Sequence, residues 1–240
     1  MIRSTLAAAA TALALAACQS AEDDNGQSAA TGALEIPALE YSQRTLDNGL
    51  RVFSMPDAAT ASVSIQVWYD VGSKDDPPGR SGFAHLFEHL MFKSTANMPP
   101  ETMDRLTEDA GGFNNASTWN DFTNYYETVP ANHLRRVLWG EAERMGSLVI
   151  DEANFISERD VVKEELRQNY LASPYGKMFG LYLTQTAFNV HPYGRPGIGS
   201  IEQLDASTIE DVREFHAAYY RPDNAILVVS GNFNQSDLDS

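Results

Sequence analysis

The chain has 240 residues, 43% of them hydrophobic, and 33 acidic against 17 basic side chains give it a formal net charge of −16. So acidic a surface excludes nucleic acid as an expected partner, because phosphate contact demands a basic face; the charge more usually means solubility. Cys18 is the one cysteine, and no internal repeat is visible.

Arg3, followed by an Ala/Leu-rich stretch over residues 6–17, has the charge-then-apolar order of an export signal and is too short to span a bilayer comfortably. The stretch ends in Leu15-Ala16-Ala17-Cys18, which resembles the bacterial lipobox. Residues 1–17 are therefore expected to be a lipoprotein signal peptide, with Cys18 lipidated and membrane-anchored; an ordinary signal with a fortuitous cysteine is the plainer alternative. Several acyl chains anchor stably where one would be marginal. By the same resemblance, Gln19 in place of Asp favours the outer membrane, facing the periplasm. Residues 18–38 are small, polar and acidic, as a flexible tether is. Residues 39–240 can bury one substantial core.

Within that domain, residues 50–55 and 61–70 read as strands, with Val63, Ile65, Val67 and Tyr69 on one face. A polar loop with Pro77-Pro78-Gly79 leads to the most informative run, F-A-H-L-F-E-H-L-M-F at 83–92. On a helix His85, Glu88 and His89 share a face. Neutral imidazoles are good zinc ligands, and a carboxylate left off the metal can act as a base toward water. Chance placement gives roughly 0.007 H-x-x-E-H matches in such a chain, so coincidence is a poor explanation. Two surface histidines with an ordinary glutamate are the bland reading. The apolar neighbours oppose it, since buried polar groups need partners.

Further along, Pro99 and Pro100 open a helix through Leu106 that Gly111-Gly112 ends. Residues 113–129 suggest two strands, with 131–148, 154–171, 177–188 and 208–219 helical and 225–230 a buried strand. Elements mix without regular alternation, which predicts an α+β fold, a mixed sheet packed against helices. Residues 234–240 read as a helix start with no helix after it. A hydrolytic zinc site takes three protein ligands, so one more must come from elsewhere. The acidic helix at 158–168 offers Glu158, Glu164 and Glu165; Glu164 and Glu165 lie about 100° apart, and spacing alone cannot choose between them.

Here the chain resembles the pitrilysin-like zinc peptidases of the M16 (inverzincin) type, which include the mitochondrial processing peptidase. Their H-x-x-E-H is followed after about 75 residues by a ligand glutamate, typically within E-R-x-x-V-x-x-E; here Glu158-Arg159 begins that motif and 75 residues separate His89 from Glu165. The residues at 111–126, 191–199 and 215–233 resemble further family segments. One departure is Lys93-Ser94-Thr95, where many members have glycine before the threonine. The resemblance implies Zn2+ on His85, His89 and Glu165, Glu88 as general base, Glu158 as a carboxylate orienting a ligand, and Asn115 and Ala116 in a strand that binds extended peptide. A turn role for Asn115 stands beside that one. It also implies a half-unit fold, the catalytic half of an endopeptidase that the leader assigns to the envelope, with a second half or partner subunit closing a chamber and residues 39–240 truncated before it.

Other residues read as structural. His133 is expected at the surface, His191 in loop packing and His216 at the core edge. Trp119, Phe122, Tyr125 and Tyr126 read as strand packing, since no basic residues accompany them. The rival functions are a non-catalytic structural subunit and a zinc-binding envelope lipoprotein, neither of which needs Glu88 as a base.

Overall fold

The structure, a computed structural model, describes residues 38–240; the leader, Cys18 and the tether apart from its last residue lie outside the described residues. Six strands form one mixed sheet: β1 (Ser42–Thr45), β2 (Arg51–Pro56), β3 (Ser62–Tyr69), β4 (Phe113–Thr118), β5 (Thr123–Pro130) and β6 (Ala225–Gly231), in the order β1-β2-β6-β3-β5-β4. β6 is parallel to β2 and antiparallel to β3, and the other neighbours are antiparallel. The α+β expectation holds. Alternation along β3 puts Val63, Ile65, Val67 and Tyr69 in the core, each at most 1% exposed.

The helices are α1 (Phe83–Leu90), α2 (Thr102–Glu108), α3 (Leu134–Gly146), α4 (Glu152–Glu165), α5 (Leu183–Ala187), α6 (Ile201–Asp205), α7 (Ile209–Tyr219) and α8 (Gln235–Asp239). Several depart from the expected spans. α2 starts after the two prolines, with Glu101 in the left-handed region at φ 63° as its cap. The 154–171 helix is α4 followed by a π-helical turn, Leu166–Leu171, and the 177–188 helix opens on another, Met178–Tyr182. A one-turn α8, with Asn234 as its N-cap, forms where residues 234–240 read as a helix start. Trp119 corrects the strand-packing reading: it lies in the β4–β5 connection, 64% exposed, while Phe122 packs on Trp68 with ring centroids 4.9 Å apart.

α1 buries Phe83, Ala84, Leu86, Phe87 and Leu90, so its apolar side is fixed in the core and its His/Glu side is left half-buried. Its start is held by Asp76, which accepts hydrogen bonds from the N–H groups of Gly82 (2.7 Å) and Ala84 (2.9 Å). A carboxylate there satisfies unpaired donors and complements the helix dipole. Burial nevertheless pushes the Asp76 carboxyl up to about 7, against the opposing pull of those N–H groups. Gly82 has φ 96°, and a Cβ on it would meet Gly199 Cα at 2.8 Å, so the 191–199 loop can close on α1 only over glycine.

A buried ion cluster ties β5 to α3. Arg144 (1% exposed) bonds Glu127 at 2.7 Å and also Glu141, with its guanidinium 4.6 Å from the Tyr125 ring centroid. Burial, with Glu141 beside it, pushes the Glu127 carboxyl well above the usual range, against the opposing pull of the Arg144 guanidinium. Arg144→Ala would strand those carboxyls in the core, an expected loss of about 3–5 kcal/mol of stability. Denaturant unfolding checks this, and a loss below about 1 kcal/mol would refute the assignment.

Candidate metal centre

α1 carries His85, Glu88 and His89, and α4 brings Glu165 to them. Glu165 Oε2 lies 3.6 Å from His85 Nε2 and 3.6 Å from His89 Nε2, and one donor atom from each of the three residues falls within 4.8 Å of the others. Two donors on a tetrahedral zinc, each about 2.0–2.2 Å from the ion, stand roughly 3.3–3.6 Å apart, so these residues fit zinc with little movement. The imidazoles are perpendicular, 89° between planes with centroids 4.9 Å apart.

The helical period explains the choice among the glutamates. Glu158 and Glu165 are seven residues apart, about two turns, and share the face of α4 turned to α1. Glu164 instead points out to Arg167 (3.3 Å) and Gln168 (2.8 Å). Glu165 is the last α-helical residue before the π turn, a distortion that recurs at functional sites. Glu158 is buried, with Oε2 3.6 Å from His89 Nδ1 and Oε1 2.7 Å from Lys93 Nζ.

The two histidines differ electrostatically. Burial, with His89 beside it, lowers the His85 pKa to about 3, which keeps its imidazole neutral and able to ligate. Burial also opposes charge on His89, but the carboxylates of Glu158, Glu165 and Glu88 outweigh it and hold that pKa above the ordinary value. A metal ion must therefore displace a proton from His89 when one is bound there. His85 Nδ1 is buried with no hydrogen-bond partner among the described residues, so only His89 has a supporting carboxylate.

Glu88 accepts a hydrogen bond from Thr118 Oγ1 at 2.5 Å. Burial pushes its carboxyl up, and the Thr118 hydroxyl pulls it part of the way back. The four residues line a cavity of about 300 Å³ with Phe92, Lys93, Asn115 and Glu158. β4 is the sheet edge beside it. Asn115 is exposed there, and its Oδ1 accepts the Ala116 N–H at 2.8 Å; the Ala116 side chain is in the core, leaving only its backbone to offer.

Outside the site, His216 stacks on Phe87 at the core edge, His191 is exposed in its loop, and His133 is partly exposed ahead of α3. Asp76, Lys93 and Thr118 were not foreseen as parts of the site. The turn residues after Asp76 were a usable signal for a helix cap; the partners of Lys93 and Thr118 lie on other elements and leave no local trace.

Residues 51–200 match the family model described as Insulinase (Peptidase family M16), and residues 207–240 match the one described as Peptidase M16 inactive domain. The chain is 40% identical over 195 residues to the Zinc protease PqqE of Helicobacter pylori, covering 81% of this chain and 44% of that protein. A Probable mitochondrial-processing peptidase subunit beta of Arabidopsis thaliana is more distant, 28% identical over 203 residues, with 85% and 38% covered. Among solved structures, a protease from Helicobacter pylori superposes with a TM-score of 0.80 at 39% identity, over 83% of this chain and 48% of that one. The chain thus spans about half the length of the relatives it matches.

Proposed function

The chain belongs to the M16 (insulinase) peptidase family, and from that premise we propose that it is the metal-bearing half of a zinc endopeptidase acting on peptides or small proteins in the bacterial envelope. The observation that carries the proposal is the convergence of Glu165 on His85 and His89 from a helix 75 residues away, with Glu88 beside them and outside the ligand set.

In this reading His85, His89 and Glu165 hold the ion, and Glu158 orients His89 from behind. Bound zinc would supply Lewis acidity toward the scissile carbonyl and toward the attacking water. Glu88 removes a proton from that water and returns it to the leaving amine. The Thr118 hydroxyl holds Glu88 Oε2 and so orients the carboxylate, which keeps lone pairs for the proton transfer. An extended substrate adds to the β4 edge by backbone pairing, so side-chain preference resides in pockets. Its approach at Ala116 requires the Asn115 amide to turn away from the N–H it now covers.

A second half, covalent or separate, would close the chamber around the peptide. The lipobox-like Leu15-Ala16-Ala17-Cys18 supports lipid anchoring, and Gln19 after it supports the outer membrane. The test is metal content of the purified protein together with cleavage of a mixed peptide library, with the complementing half supplied. One zinc per catalytic half is expected, with cleavage abolished by chelator and restored by zinc. Cleavage indifferent to the chelator, or a metal-free protein that takes up no zinc, would overturn the proposal.

A further inference from the structure

We propose that Lys93 is a positioning residue for the metal centre, its ammonium fixing the Glu158 carboxylate so that the other oxygen faces His89 Nδ1; this rests on the zinc reading above. Lys93 lies in the turn that ends α1, four residues past His89, with its N–H on the Leu90 carbonyl at 3.0 Å. One turn of chain therefore carries both a ligand and the anchor of that ligand's partner.

Glu158 Oε1 receives Lys93 Nζ at 2.7 Å and the Ser157 hydroxyl at 3.2 Å, while Oε2 lies 3.6 Å from His89 Nδ1. With one oxygen held by Lys93, the carboxylate can present only the other to the imidazole. An acceptor at Nδ1 selects the tautomer that leaves Nε2 free to ligate. Charge makes the anchor necessary. Glu88, Glu158 and Glu165 all line the cavity, and Lys93 is the one lysine or arginine among its lining residues. Without the ammonium, Glu158 would be buried among like charges and free to swing away from His89 or to compete for the ion itself.

Outer carboxylate partners of metal-ligating histidines are worth about 10–100-fold in metal affinity. Lys93→Met is therefore expected to weaken zinc binding about 10-fold in competition with a chromophoric chelator, and Lys93→Arg to stay within about threefold of wild type. Glu158→Gln should weaken binding comparably, and adding Lys93→Met to it should change nothing further, because Lys93 acts through Glu158. Near-wild-type affinity in Lys93→Met, or effects of the two substitutions that multiply, would overturn the role. His85→Ala serves as the control: wild-type protein that binds zinc no better than this variant would overturn the metal centre and the role of Lys93 with it.

Discussion

Glu88→Gln is expected to bind zinc as tightly as the wild type within about threefold, yet to hydrolyse peptide about 10³-fold more slowly. Positioned acid–base groups contribute roughly 10²–10⁴-fold, and Glu88 is asked to act twice, as base toward water and as acid toward the leaving amine. Glutamine keeps the size of the side chain and an oxygen to accept the Thr118 hydroxyl, so the packing of α1 should survive. What is removed is the ability to carry a proton. Zinc affinity from chelator competition and kcat/KM on a peptide found in the library screen check the two halves of the expectation. Retained zinc with kcat/KM within tenfold of wild type would remove Glu88 from the chemistry and require another group to carry the proton.

The site divides into parts that sequence can and cannot carry. His85, Glu88 and His89 lie within two helical turns, so their common face follows from the helical period alone. Glu165 depends on how α4 packs against α1, and local spacing left it level with Glu164 until Arg167 and Gln168 were seen holding Glu164 outward. Lys93 and Thr118 act across elements, and nothing in a linear pattern distinguishes them from ordinary polar residues.

The fold shows the same division. β3 was legible because four apolar residues alternate along it, whereas β1, Ser42–Thr45, is a short edge strand of mostly exposed polar residues with no such pattern. Charged side chains are mostly exposed by type, so nothing local marks Glu127, Glu141 and Arg144 as the buried partners they are. The π turn at Leu166–Leu171 differs from the helix it extends by one residue in its hydrogen-bond spacing, too little over six residues to mark the side-chain pattern, so the expected helix ran through it to 171.

His85→Ala should abolish the stabilisation that zinc confers while leaving the metal-free protein nearly as stable as before. Burial keeps His85 neutral without metal, and its Nδ1 has no partner among the described residues, so truncation removes no ion pair and no hydrogen bond at that atom. The side chain also faces the cavity rather than the apolar core. Its Nε2, however, is one of the three protein donors proposed for the ion. Distributing a typical zinc-binding free energy of about 10–16 kcal/mol over its ligands gives each one roughly 3 kcal/mol, or at least about 10²-fold in affinity. At free zinc 1,000-fold above the wild-type dissociation constant, binding stabilises the folded chain by about 4.1 kcal/mol; a 10²-fold loss leaves about 1.4 kcal/mol, and a larger loss leaves less. Thermal unfolding with and without zinc reads this directly. The wild type should show a clear upward shift in Tm and His85→Ala little of it, with the two melting together in chelator. A variant that keeps the full zinc-dependent shift would mean that the ion sits elsewhere, and Glu165 and His89 would lose their assignment along with His85.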